Sequence, residues 1–276
     1  MRISVTHSTA YRYEEPVYAE PHTFRLKPRE DAAQHLLNYR VEIRPQPAGS
    51  AECLDQAGNV VLEAWFDAPL RELAVTSSFA VETLRDNPFQ YLPAGWPPLV
   101  YPEPLRSALG PCLAAPPASA AVRDLADGAA REAGGNPLLF LTALNRTMFE
   151  TLGHTVRADG PPLPPETTLR EGEGTCRDLA VLFCVACRAA GIAARFVSGY
   201  EREAAFQARA FMHAWAEVYI PGGGWRGYDP SQGLAVSTSH IAVAAAADSR
   251  LAAPITGTFR GAARAGMQFA ISMQVA

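Results

Sequence analysis

Nine prolines fall between Pro88 and Pro117 of this 276-residue chain. Each fixes φ and removes a backbone donor, so no long helix or central strand can run through that stretch. It reads as a Pro-rich linker, residues 86–118, laid over a surface. Phe89, Tyr91, Leu92 and Trp96 are expected to dock its start. The stretch divides the chain into two parts of different period, and at about 150 residues per domain the length suits two domains.

Residues 1–85 carry the period of strands. Tyr39-Arg-Val-Glu-Ile-Arg44 alternates apolar with charged residues, as a half-buried strand does. Val60 to Phe66 and Leu73 to Val81 are similar and rich in β-branched and aromatic residues. Asp55-Gln-Ala-Gly-Asn59 is turn chemistry between two of them. An N-terminal antiparallel β-sandwich domain is expected.

Helices follow the prolines. Ser119 can cap a helix to about Ala133, which Gly134-Gly135 ends. A second starts near Pro137 and carries Leu138, Leu141, Leu144, Met148 and Leu152 at helical spacing before Gly153. A third runs from about Thr175 to Ala190 and is apolar on nearly all sides, which places it centrally. Strands are expected at 194–199, 212–220 and 225–228, and a last one from Met267 to Val275. The fold class is α+β, with a second core at 119–248 and a C-terminal segment at 249–276 that ends in a strand.

The net charge of −4 offers no basic field for nucleic acid or an anionic membrane, and neither partner is expected. The longest apolar run, Leu179 to Cys187, is too short for a membrane span of about 20 residues. No targeting segment is visible at the N-terminus. Five cysteines (Cys53, Cys112, Cys176, Cys184 and Cys187) are odd in number and thinly spread. That is no disulfide scaffold, and a reduced, cytoplasmic setting is expected.

One of those cysteines stands apart. Gly172-Glu-Gly-Thr-Cys176-Arg-Asp puts it at the start of the apolar helix. Free N–H groups and the dipole at a helix start favour a thiolate and could hold an oxyanion. Gly172 and Gly174 would let a substrate approach. Glu171 and Glu173 oppose the thiolate, with Arg177 near enough to offset them. A base is needed, and His213 lies in the strand pattern Met212-His-Ala-Trp-Ala-Glu-Val-Tyr-Ile220, sharing a face with Trp215, Glu217 and Tyr219. Asp229, past Pro221-Gly-Gly-Gly224, could orient the imidazole. A four-residue loop would set it opposite Ala216, three residues from His213 and roughly 10 Å along the strand. That register calls for a bulge or a longer loop.

The segments Gly174-Thr-Cys-Arg-Asp-Leu-Ala180, Ala190 to Tyr200, His213-Ala-Trp-Ala-Glu-Val-Tyr219 and Gly224-Trp-Arg-Gly-Tyr-Asp-Pro-Ser231 together resemble the core of the bacterial transglutaminase-like superfamily. Tyr11-Arg-Tyr13, Leu26-Lys-Pro-Arg29 and Gly58-Asn59 resemble the β domain that precedes it in many bacterial members. The resemblance implies a papain-like fold, a central helix packed on an antiparallel sheet. It also implies a Cys-His-Asp triad with Cys176 as nucleophile, His213 as base and then acid, and Asp229 as orienter. One segment departs from the pattern. Where relatives tend to have Gly-Arg-Asp-Tyr, this chain reads Ala245-Ala-Ala-Asp-Ser249, which puts substrate preference in question.

Other features read as structural. Cys184-Val-Ala-Cys187 lies inside the helix rather than at its start and has no second ligand pair, so it packs the core instead of binding zinc. Trp215, Tyr219, Trp225 and Tyr228 read as packing. Cys53 and Cys112 carry no signal. His240 is assigned no role, and for His154 a substrate-side role is the lesser of two readings. No metal and no cofactor are expected. The function expected is a thiol-dependent acyl-transfer enzyme that attacks a peptide or amide carbonyl through a Cys thioester. A cysteine peptidase or amidase is favoured over a transglutaminase, and a non-catalytic binding or scaffold protein is the rival of another class.

Overall fold

The computed structural model describes residues 1–92, 99–114, 118–202 and 210–276. The chain begins with strands β1 (Arg2–Ala19), β2 (His22–Phe24), β3 (Gln34–Arg44), β4 (Gly49–Leu54), β5 (Val60–Trp65) and β6 (Leu70–Thr83). Short helices α1 (Leu105–Ala108) and α2 (Gly110–Leu113) lead to α3 (Ala120–Ala133) and α4 (Pro137–Thr151). Then come β7 (Gly153–His154), α5 (Pro165–Glu171), β8 (Glu173–Gly174) and α6 (Cys176–Ala189). The rest is β9 (Ala194–Glu201), β10 (His213–Ile220), β11 (Gly224–Asp229), β12 (Leu234–Ala235), β13 (His240–Ala246), β14 (Ile255–Thr256), β15 (Phe259–Arg260) and β16 (Ala265–Val275).

The first part is a sandwich of two antiparallel sheets. One has the order β15-β1-β6-β3 with β16 also on β1, and the other the order β14-β2-β5-β4. The strands from the far end of the chain therefore complete it. β16 pairs with β1 from Ile3↔Val275 to Tyr13↔Ala265. Odd-numbered residues of β1 point inward and even-numbered ones outward, the alternation of a half-covered antiparallel sheet.

Sequence signals place the helices closely. Ser119 accepts a bond from the Val122 amide, Gly134 takes the left-handed conformation at φ 57°, and Asn136 caps α4 ahead of Pro137. The expected docking of the linker holds only in part. Tyr91 packs on the core and under the Arg226 guanidinium, whereas Phe89 and Leu92 are exposed. The chain turns at Pro88 and Phe89 and bends at Tyr91, so Tyr91 alone of the three is carried onto the core. Trp96, Pro93, Pro97, Pro98, Pro116 and Pro117 lie outside the described residues.

The second part is the antiparallel sheet β12-β11-β10-β9-β13 with α6 packed across one face. Leu179, Leu182, Phe183 and Ala186 of α6 meet Ala216, Val218 and Ile220 of β10 there. Gly199 of β9 pairs with His213, and a Cβ on it would lie 2.0 Å from the Ile241 carbonyl oxygen. The two parts join where edge strand β13 offers its backbone to two buried amide side chains. Gln34 gives to the Ala242 carbonyl and accepts from its amide, both at 2.8 Å. Asn59 does the same at Ala245, at 3.0 and 2.8 Å. An open sheet edge is thereby closed by side chains instead of another strand.

Candidate active site

Cys176 is the first residue of α6 and Thr175 its cap. The Asp178 side chain, with no solvent exposure, accepts from the Thr175 amide at 2.8 Å and hydroxyl at 2.7 Å. It also takes the Leu163 amide at 2.7 Å and two Arg157 bonds at 3.0 and 3.2 Å. Burial pushes the Asp178 pKa up, but these donors outweigh it and hold the carboxyl below its ordinary value. One buried carboxylate thus ties the helix start to the loop before it. Asp178→Ala is expected to destabilise the protein by about 3 kcal/mol, measured by urea unfolding, since it strands buried donors and the Arg157 charge.

The two glycines before Cys176 have structural duties. Gly172 ends α5 at φ 71°, and Gly174 is buried where a Cβ would lie 3.0 Å from that of Asp178. At Gly174 the expectation of room for substrate gives way to tight packing around the helix start, whereas Gly172 is exposed with open space beside it. Glu171 and Glu173 are exposed.

His213, Asp229 and Cys176 come together. His213 Nε2 lies 2.6 Å from Asp229 Oδ2, and the side chains of His213 and His154 and the Ala214 backbone are hydrogen-bonded to the Cys176 sulfur. No bulge is needed. The hairpin turn has three residues, Pro221 to Gly223, because Gly224 already pairs with Ile220. Pro221 and Gly222, the latter at φ 83°, suit the central positions of a type II turn, closed by a bond from the Gly223 amide to the Ile220 carbonyl. The ladder then pairs Ala216 with Tyr228, one residue off the expected register, which puts Asp229 across from Trp215. That single step moves Asp229 to the His213 face as its diagonal neighbour, within side-chain reach.

Burial works against the charge on all three groups, yet their mutual contacts prevail. The Cys176 thiol is driven up by burial but lowered to about 6 overall by bonds from His154 and His213, the His213 charge and the Ala214 amide. His213 is depressed by burial but raised well above its ordinary value, first by Asp229 and then by Cys176. Asp229 is pushed up by burial and pulled far below the usual carboxylate range by His213 and His240. These directions favour a thiolate–imidazolium pair backed by a carboxylate. The two thiols further along α6 contrast with it: burial pushes Cys184 to about 12 and Cys187 well above its ordinary value.

His240 was without a role in the sequence, yet its side chain is 1% exposed and its Nε2 lies 3.0 Å from the same Asp229 oxygen. Ser239 Oγ sits 2.8 Å from its other nitrogen. The second Asp229 oxygen accepts from the Ser231 amide at 3.0 Å and hydroxyl at 2.7 Å. The Ser-His dipeptide at a strand start is too common a signal to have revealed this. His154 had a weak signal, its place near a loop ahead of the cysteine. Pairing of β7 with β8, His154↔Gly174, is what brings it to the sulfur.

His213, Asp229 and His240 are also three metal-capable side chains whose ligand atoms lie within 4.8 Å of one another. Their N···O separations of 2.6 and 3.0 Å are hydrogen-bond lengths. Ligands at about 2.0 Å around a tetrahedral ion would stand roughly 3.3 Å apart, so the cluster fits shared protons better than an ion.

Cys176 opens on a cleft of about 590 Å³ bounded by residues 154–160, His213, Ser231 and the face of β1 and β16. Residues 245–249 do not line it; Ala245 and Ala246 are buried in β13. The departure in that segment therefore lies outside the cleft lining, although Ala246 belongs to the apolar cluster on which Cys176 packs. Trp215 and Tyr228 are buried, and Tyr219 stacks edge-on to Trp225, as packing residues do.

The comparisons agree with this architecture. The bacterial transglutaminase-like N-terminal region matches residues 3–82, and the transglutaminase-like superfamily core matches residues 128–230. The chain belongs to the transglutaminase-like superfamily. The uncharacterized protein ML0607 of Mycobacterium leprae is 30% identical over 268 residues, spanning 94% of each chain. An uncharacterized Mycobacterium tuberculosis protein, Rv2569c, is 29% identical over 284 residues, 93% of this chain and 87% of its own. In fold, the chain matches a crystal structure described as a candidate cysteine protease from Cytophaga hutchinsonii. The TM-score is 0.73 and the identity 21%, over 100% of this chain and 91% of the other. Among the described residues, no helix is long and apolar enough to cross a membrane.

Proposed function

We propose that this protein is a thiol acyl-transfer enzyme acting as a cysteine peptidase or amidase. The observation that carries the reading is a cysteine at a helix start whose sulfur meets His213, itself bonded to a buried Asp229. The Cys176 thiolate attacks an amide carbonyl carbon, and the carbonyl electrons move to oxygen. In this reading the Cys176 backbone amide at the helix start and the His154 side chain would serve as donors to that oxyanion. His213 gives its proton to the leaving amine as the C–N bond breaks, leaving a thioester. Water then loses a proton to His213, attacks the thioester and frees the thiolate. Asp229 holds the imidazole in the required tautomer throughout.

An amine in place of water would make the enzyme a transglutaminase. The sole lysine, Lys27, is paired with Glu52 at 2.8 Å, so self-crosslinking is disfavoured and amines would have to come from elsewhere. A cytoplasmic setting is part of the same proposal, since five cysteines, odd in number and thinly spread, make no disulfide scaffold.

Limiting iodoacetamide at pH 6 tests the reading. Cys176, about half thiolate there, should be alkylated roughly a hundredfold faster than an ordinary thiol. Cys53 is exposed, so a Cys53→Ser background removes the competing thiol. Selective labelling of Cys176 that disappears in His213→Ala is the expected result. Equal, slow labelling of every cysteine would remove the basis of the proposal. Partition of the product between acid and amide as primary amine is added separates hydrolysis from amine transfer.

A further inference from the structure

We infer that the face of β1 and β16 over Cys176 is the substrate-selecting wall, and that it takes a large apolar side chain next to the scissile amide. This rests on the acyl-transfer reading of Cys176. β16 is patterned for burial: Met267, Phe269, Ile271 and Met273 alternate with Gln268, Ala270, Ser272 and Gln274. Such alternation fits a strand with one covered face. At one end the inward face is covered, since Met273, Ile3 and Val5 pack on Tyr200, Ile241 and Val243 of the second part. Towards the other end the face borders the cleft, with the Phe211 ring edge-on to Phe269. Met267 is 39% exposed, and Phe269 and Ile271 are half-buried.

The register sets which residues border the cleft, with His7 and Thr9 buried behind the apolar side chains of β16. Tyr11 pairs with Met267, Thr9 with Phe269 and His7 with Ile271, and all six line the cleft that holds Cys176. His7 adds no charge near neutral pH, because burial lowers its pKa to about 4. From Met267 to Ile271 the strand runs roughly 13 Å, the reach of about four extended residues. An apolar strip continuous with the interface between the two parts, interrupted only beside the nucleophile, is matched by an extended peptide bearing a bulky apolar residue. Residues 245–249 and the aromatic hairpin take no part.

Peptidyl chloromethyl ketones with Phe or Gly next to the reactive carbon read this directly, as the rate of covalent labelling of Cys176. Fully burying such a side chain predicts a Phe-over-Gly preference of about ten- to a hundredfold. In Phe269→Ser and Met267→Ser the ratio should fall several-fold, whereas Gln268→Ser, on the outer face, should keep it. Misfolding would slow both reagents together and leave the ratio in place. Equal labelling by Phe and Gly reagents, with Cys176 still selectively alkylated by iodoacetamide, would overturn the wall and leave the acyl-transfer reading standing. A Cys176 inert to every reagent would overturn both.

Discussion

Cys176→Ala is expected to lower amide turnover by roughly 10⁴- to 10⁶-fold, since no other group can form the thioester. The control is the fold. The sulfur lies at the edge of α6, half-exposed to the cleft, so the melting temperature should move by only a few degrees. The variant also has a readout apart from activity. Cys176 is one of the groups that raise the His213 pKa, so its removal should lower that pKa, observed by imidazole NMR titration. Asp229 still holds His213 above its ordinary value in that variant. An unchanged turnover would end the covalent mechanism outright.

Asp229→Asn should cost about 10³- to 10⁴-fold while preserving the shape of the site. Two imidazole Nε2 atoms now converge on one carboxylate oxygen, His213 at 2.6 Å and His240 at 3.0 Å. An amide oxygen is a weaker acceptor for both and carries no charge to hold the imidazolium. The His213 pKa should fall and the thiol pKa rise from about 6 towards its ordinary value, so the acid limb of kcat/KM moves to higher pH. Stability has its own sign. Asp229 is depressed below its unfolded value of about 3.9, so its stabilisation is complete above that pH and is lost as pH falls. The Asn variant should lack that part of the acid dependence. His213 works in the opposite sense: raised in the fold, its contribution is full below about pH 6.5 and declines as pH climbs through the folded value.

The sequence was most legible where chemistry and local geometry coincide. A cap before an apolar run, prolines at first helical turns and left-handed glycines placed α3, α4 and α6 within a few residues. Cys176, His213 and Asp229 were legible because each sits in a short segment whose residues carry its role. The hairpin register was not. Whether Gly224 belongs to the turn or to β11 changes the face of Asp229, and a run of three glycines gives no local cue to that choice. β13 was missed because a strand of alanines has no alternation when buried on both sides. His240 was missed with it, because its role depends on a contact across the sheet. The sandwich was read from residues 1–85 alone, yet three of its strands come from beyond residue 250, a pairing no local pattern encodes.

That last pairing has a consequence for how the chain is made. β1 has β16 as one neighbour, a strand made more than two hundred residues later in synthesis. Until then its outer edge stays open, and Ile3 and Val5 wait for Met273 and for β9 and β13 to cover them. Domains that complete themselves locally can fold as they emerge, but here the first sheet is incomplete until β16 has been made. Ribosome-stalled chains should therefore gain a protease-resistant first sheet only once β16 has cleared the exit tunnel.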